Sequence, residues 1–179
     1  PRGVAVDQQG RVFITDTGNK RVVIFDKDGN SLGAFGSAGY GVGQFDEPVG
    51  IEVDDIGRLY IADTWNKRIQ IMLPDATGLN FPNHIAWDID GWYGDNLDNK
   101  PFLTIDKQYR VFVADPIVGR VLTFDQNGNF LFTWGSFGNG PDEIGIVGGL
   151  AVDSEGKVWA ADARNNRLMR FTVPSSTNP

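Results

Sequence analysis

GVAVDQQGRVFITDTGNKRVVIFDKDGNSLGAFG (3–36) decides the fold, because it holds four short apolar runs separated by turn residues and the chain repeats the pattern. GVAVD (3–7) ends in the turn Gln8-Gln9-Gly10. RVFITD (11–16) follows, then the loop TGNK (17–20), RVVIFD (21–26), a turn at Lys27-Asp28-Gly29-Asn30, and SLGAFG (31–36). Runs of five or six residues rich in β-branched and aromatic side chains, bounded by Gly, Asn and Asp clusters, predict a four-stranded antiparallel meander, strands a to d.

Asp7, Asp54, Asp106 and Asp153 head four copies of this pattern. Nine residues after each stands a second aspartate, Asp16, Asp63, Asp115 or Asp162, and five residues further an arginine, Arg21, Arg68, Arg120 or Arg167. The copies are 47, 52 and 47 residues apart, a period that belongs to solenoids, propellers and arrays. The second copy reads GIEVD, RLYIAD, RIQIML, HIAWD; the third FLTID, RVFVAD, RVLTFD, FLFTWG; the fourth GLAVD, KVWAAD, RLMRFT. Trp87 precedes Asp106 by the same interval as Phe35 precedes Asp54 and Trp134 precedes Asp153, so the five extra residues of the second copy lie in its c–d hairpin, around 73–83.

No 3.6-residue periodicity is present. The strands are too short and too apolar on both sides for one flat sheet with a wet face. Small sheets covered on both faces and repeated in tandem describe propeller blades, whereas a parallel β-helix has shorter repeats and needs fewer hairpins. The predicted fold is therefore an all-β β-propeller of four blades of four-stranded antiparallel sheet, the last lacking its outer strand. The blades run about 1–47, 48–100, 101–147 and 148–173, with a tail at 174–179.

Composition agrees with a globular chain: 41 % hydrophobic and 22 % charged residues are too apolar for disorder. The absence of cysteine excludes disulfides and thiolate metal sites. No run is long and apolar enough to span a bilayer as a helix. A formal charge of −7 argues against a nucleic-acid backbone as partner.

GVAVDQQGRVFITDTGNKRVVIFDKDGNSLGAFGSAGYGVGQFDEP (3–48) resembles the NHL-repeat family of β-propellers over its whole length. PVGIEVDDIGRLYIADTWNKRIQI (48–71) and GGLAVDSEGKVWAADARNNRLMRF (148–171) resemble it as well. The third copy departs from the family pattern at Val118, in place of asparagine, and at Tyr109, in place of glycine. The resemblance implies that strand a lines a central axis and strand d lies outermost. It also implies that the b–c and d–a loops share a top face and the a–b and c–d loops the other. It implies a segment of a six-bladed ring, with a compact four-bladed ring as the second reading, and an extracellular or cell-surface setting. Strand c of the last blade (167–172) is then an open edge at which another chain can add a strand.

The four Asp-x4-Arg pairs recur in every copy and read as bridges of the b–c loop, since one catalytic site needs one constellation. The aspartates ending strand a precede tight turns and read as acceptors for turn amides; their spacing is the repeat's and not that of a calcium loop. Glu52 stands where the other a strands carry Ala5, Thr104 and Ala151. It reads either as a carboxylate near the axis, where enzymatic propellers keep a metal or base, or as a paired channel residue. His84, the single histidine, starts a d strand and cannot by itself supply a metal set. No Ser/His/Asp arrangement, phosphate loop or HExxH is found, so no catalytic residue, metal or cofactor is assigned.

The loop-face aromatics carry the functional expectation. Trp65 sits in a b–c loop where its counterparts are Gly18, Ile117 and Arg164. Tyr40, Trp92, Tyr93 and Phe137 lie in d–a loops, with Asn66, Lys67, Lys20, Arg164, Asn165 and Asn166 nearby as further candidates; Trp92 and Phe137 read equally as wedges under their own loops. Aromatic residues among amides and cations suit a protein-binding or carbohydrate-binding surface. The expectation is a non-catalytic propeller binding a protein or other macromolecule through these loops. The alternatives are part of a lyase- or lactonase-like propeller enzyme and a self-assembling repeat protein. RNA binding, which the resemblance also allows, ranks last on charge.

Overall fold

Alternation of apolar side chains builds each predicted run into a strand of a meander. The computed structural model describes residues 1–89, 92 and 101–174, and the chain divides into two compact units, Pro1–Asp90 and Gly91–Pro179.

In the first unit, β1 (Val4–Val6), β2 (Val12–Asp16), β3 (Arg21–Phe25) and β4 (Ser31–Phe35) form one antiparallel sheet in that order. After a short parallel pair, β5 (Ser37–Ala38) with β6 (Gln44–Phe45), comes a second sheet. It consists of β7 (Pro48–Val53), β8 (Leu59–Asp63), β9 (Arg68–Leu73) and β10 (Asn83–Asp88), again in chain order. Asp16 pairs with Arg21, and Asp63 with Arg68, at the ends of the two b–c hairpins. The left-handed residues Lys20 (φ 54) and Lys67 (φ 53) close those loops.

The second unit repeats the plan. β11 (Leu103–Ile105), β12 (Val111–Asp115), β13 (Arg120–Phe124) and β14 (Phe130–Trp134) form a four-stranded sheet. A parallel pair, β15 (Ser136–Phe137) with β16 (Glu143–Ile144), leads to a three-stranded sheet of β17 (Val147–Val152), β18 (Val158–Asp162) and β19 (Arg167–Phe171). The family departure at Tyr109 keeps the local geometry. Tyr109 takes the left-handed conformation (φ 58) that Gly10, Gly57 and Gly156 adopt in the other a–b turns. Gly119 ends the b–c loop at φ 64, and a Cβ there would lie 2.1 Å from the Ile144 carbonyl oxygen, so this position admits only glycine.

Each unit hides its apolar surface between its two sheets. In the first, Ala5, Phe13, Val22 and Ile24 of one sheet face Ile51, Leu59, Ile61 and Met72 of the other, with Phe45 between them. In the second, Phe112, Ala114 and Val121 face Val158, Ala160 and Met169, with Ile144 in the place of Phe45. The β5–β6 and β15–β16 pairs, which no pattern in the sequence announced, set these two plugs. Every residue of β8 and of β12 is buried. β2 and β18 instead alternate buried with half-buried positions.

The c–d insertion of the second blade is part of the core. Asp75 Oδ1 accepts the amides of Thr77 (2.9 Å) and Gly78 (3.1 Å) and folds the loop back. Phe81 is thereby delivered onto Phe35, with ring centroids 4.6 Å apart, and edge-on to Phe13 at 6.4 Å. Phe81→Ala should destabilise the chain by about 3 kcal/mol, the cost of emptying a buried phenylalanine site. Chemical denaturation measures this, and a loss well under 1 kcal/mol would mean that the insertion is mere surface.

Candidate functional site

The b–c and d–a loops meet at one end of each unit, and a buried carboxylate organises that meeting. Asp63 is fully buried. Its Oδ2 accepts from Asn66 Nδ2 (2.9 Å), Arg68 Nε (2.8 Å) and Gln70 Nε2 (3.0 Å), while Oδ1 takes the Asp46 amide (2.7 Å). Arg68 then reaches across to the preceding blade's d–a loop. Its Nη1 donates to the Tyr40 carbonyl (2.7 Å) and its Nη2 to those of Gln44 (2.9 Å) and Gly41 (3.2 Å). Asn66 Nδ2 adds a bond to the Gly39 carbonyl (2.8 Å).

The second unit carries the same latch. Asp162 Oδ2 accepts from Asn165 Nδ2 (2.7 Å) and Arg167 Nε (3.0 Å), and Arg167 donates to the carbonyls of Asn139, Gly140 and Glu143. Asn165 Nδ2 reaches the Gly138 carbonyl (2.8 Å). Burial pushes the Asp162 carboxyl up, but bonds from Asn165, the Ile146 amide and Arg167 outweigh it and hold the group below its ordinary 3.8. The four Asp-x4-Arg pairs thus bridge their loops as the repeat suggested, at 2.8, 2.8, 2.9 and 3.0 Å. What sequence reasoning missed is the reach of Arg68 and Arg167 into the neighbouring blade. Only the pairing of one copy's asparagine and arginine with the previous copy's glycine-rich loop could have signalled it.

The residue between the latch positions is left facing outward. Thr64 and Trp65 donate their backbone amides to the Glu47 (3.3 Å) and Asp46 (2.9 Å) carbonyls, which nails the loop down. The Trp65 side chain is 48 % exposed nonetheless. It borders a cleft of about 320 Å³ lined also by Thr17, Gly18, Lys20, Asp46 and Glu47. Lys20 Nζ is ion-paired with Asp46 there, and Glu47 holds a left-handed backbone (φ 56) immediately before Pro48, a conformation that costs a non-glycine residue about 1–2 kcal/mol.

The other expected site residues divide by environment. Tyr40 is exposed but fixed: its ring lies 4.1 Å from the Arg68 guanidinium and its hydroxyl donates to Asp88 Oδ1 (3.0 Å). Phe137 is exposed, with Arg164 stacked at 5.1 Å, and Ile117 and Lys67 are exposed. Asn66 and Asn165 spend their amides inside the latch. Trp92 is corrected: it is buried in the second unit, its indole N–H donating to the Ala114 carbonyl (3.1 Å), so its ring faces no solvent. Tyr93 lies outside the described residues.

At the opposite end, Asp7, Asp54, Asp106 and Asp153 accept turn amides as expected; Asp7 Oδ1, for example, takes those of Gln9 (3.0 Å) and Arg11 (2.8 Å). Arg11 and Arg110 pair with Asp7 and Asp106 and also donate to backbone carbonyls past the next blade's c strand, at Gly78 and Pro174. Among the described residues no group of three or more His, Cys, Asp or Glu side chains is placed to hold a metal. His84 sits on β10, the end strand of its sheet. Glu52, on β7 opposite Tyr60, is half-buried; desolvation raises its carboxyl above the ordinary 4.5, and a bond with the Val53 backbone offsets this only in part.

Comparison with known proteins matches residues 1–25 and 45–72 to the NHL repeat model. Protein brain tumor of Drosophila melanogaster is 29 % identical over 135 residues, 75 % of this chain and 12 % of that protein. Protein lin-41 of Caenorhabditis elegans is 59 % identical over 32 residues, 18 % of this chain and 3 % of that protein. A streptogramin B lyase structure covers 99 % of this chain and 56 % of its own, with a TM-score of 0.66 at 13 % identity. The chain therefore has the β-propeller fold, and it spans little more than half the length of the propeller structure and a small share of the curated relatives.

Two results should follow. Arg68→Ala strands the buried Asp63 carboxylate and should cost about 3–5 kcal/mol, whereas Arg21→Ala, at the exposed first-blade pair, should cost under about 1 kcal/mol; urea titration separates them. Folded Glu52 binds its proton more tightly than the unfolded chain does, so its ionisation weakens the fold as pH rises through the window above 4.5. Glu52→Gln should be more stable than the wild type at pH 7, with the advantage vanishing below about pH 4, where both states are protonated.

Proposed function

We propose, from the premise that this chain belongs to the NHL-repeat family, that it is a non-catalytic binding module that docks a protein partner on its b–c and d–a loop end. One observation carries this reading. The latch fixes the backbone on both sides of Trp65 and leaves that indole exposed. Its counterparts Gly18, Ile117 and Arg164 differ in size, polarity and charge. A rigid frame with a freely varying outward residue suits recognition, because little entropy is lost when the side chain is covered.

Tryptophan and tyrosine dominate the energetics of such surfaces. Tyr40 and Val42 are also exposed on the d–a loop, and Lys20 and Asp46 put charge beside Trp65. The net charge of −7 favours a protein partner over a nucleic acid.

The half-buried Glu52 favours a second reading, in which its carboxyl, made a weaker acid by desolvation, transfers a proton in a propeller enzyme. Turnover lost on Glu52→Gln with the fold intact would establish that reading.

For a partner retained by the immobilised chain, calorimetry should show Trp65→Ala weakening the dissociation constant about thirtyfold, the roughly 2 kcal/mol of an interface hot spot. An unchanged constant for every partner so retained would remove the loop-end assignment.

A further inference from the structure

At one spot of the loop end the two units differ in three coordinated ways. Where the first unit carries Trp65, Asp46 and Ala38, the second carries Arg164, Gly145 and Phe137. The latch fixes this register: Asp46 and Gly145 each give their amide to the buried aspartate of the following b–c hairpin, Asp63 or Asp162. Ala38 and Phe137 are the second residues of the equivalent strands β5 and β15.

The three changes build one arrangement. A Cβ at Gly145 would lie 2.7 Å from Arg164 Cβ and 3.0 Å from its Cδ, so the arginine stem occupies the space that a side chain there would take. The guanidinium then lies 5.1 Å from the centroid of the Phe137 ring. The backbone beneath is pinned. The Ala163 amide donates to the Ile146 carbonyl (2.9 Å), and Asn165 Nδ2 ties Asp162 to the Gly138 carbonyl. Arg164 is exposed nonetheless, and so is Phe137.

The charge of Arg164 is unanswered in an otherwise acidic chain. Arg167 and Arg170, on the strand that follows, are ion-paired with Asp162 and Asp153. Arg164 pairs with no carboxylate among the described residues. Glu143, on the same d–a loop as Gly145, turns Oε2 onto the amides of Asn139 (3.0 Å) and Gly140 (2.8 Å). An arginine held against an aromatic ring has given up rotamer freedom in advance, and its N–H fork still matches a carboxylate.

We propose that Arg164, seated on Gly145 and Phe137, is the docking point for an acidic segment of a protein partner. A carboxylate of that segment pairs with the guanidinium, and an apolar neighbour covers the exposed part of the Phe137 ring. This rests on the loop-end reading and gives the second unit its own partner chemistry. A protein is the source because a phosphate backbone is held by many cations at once, whereas the neighbouring Arg167 is already spent on Asp162.

Panning a random-peptide phage library on the immobilised chain tests it. The retained peptides should be enriched in Asp and Glu over the input library, and panning on Arg164→Glu should lose that bias. For a synthetic copy of the most enriched peptide, calorimetry should show Arg164→Glu weakening the dissociation constant about tenfold or more. Phe137→Ala, which keeps the charge and removes its platform, should weaken it about fivefold. Arg164→Gln replaces the charge-reversed variant if circular dichroism shows that variant misfolded. Peptides retained without an acid bias and indifferent to Arg164 overturn the proposal and leave the Trp65 surface standing. A library that yields no enriched peptide overturns it as well. So does a random RNA pool bound more tightly than any peptide and released by Arg164→Glu, which would make a nucleic acid the partner.

Discussion

A carboxylate that must not be left alone in an apolar interior is the constraint from which the rest of this structure follows. Asp63 and Asp162 are buried where a lone charge would cost several kcal/mol, so each gathers an asparagine, an arginine and an amide of the preceding d–a loop around itself. Because the arginine has donors to spare, the network does not stop at its own hairpin. It takes up three carbonyls of the neighbouring blade's loop and fixes the spacing between sheets. The apolar plugs Phe45 and Ile144 then fall into place beneath.

The same network accounts for the division of labour at the loop end. Positions 63, 66 and 68 are committed to holding the loop, and substitution there is paid in stability. Position 65 stands exposed between them, and successive copies carry glycine, tryptophan, isoleucine and arginine there. Function can drift at one side chain while the backbone beneath it stays where it is.

Most of the fold was legible in the sequence, because strand length, turn residues and the paired aspartates all recur within one repeat. The a–b carboxylates, the Asp–Arg bridges and the c–d location of the insertion all follow from local spacing. What was not legible lies between repeats. The parallel pairs β5–β6 and β15–β16, the arginine's reach to Tyr40, Gly41 and Gln44, and the turn of Trp92 into the interior are set by which copy sits against which. A one-dimensional pattern does not encode that. Phe81 is a similar case: it reads as a loop residue because its strand signal is absent, and it is buried because Phe13 and Phe35 leave a place for it.

The contrast between strands buried throughout and strands with half-open positions bears on local opening. Every residue of β8 and β12 is buried, while β2 and β18 keep half-open positions. An amide exchanges only as often as the strand that carries it opens. Amide protons on β2 should therefore exchange before those on β8 in the first unit, and those on β18 before those on β12 in the second.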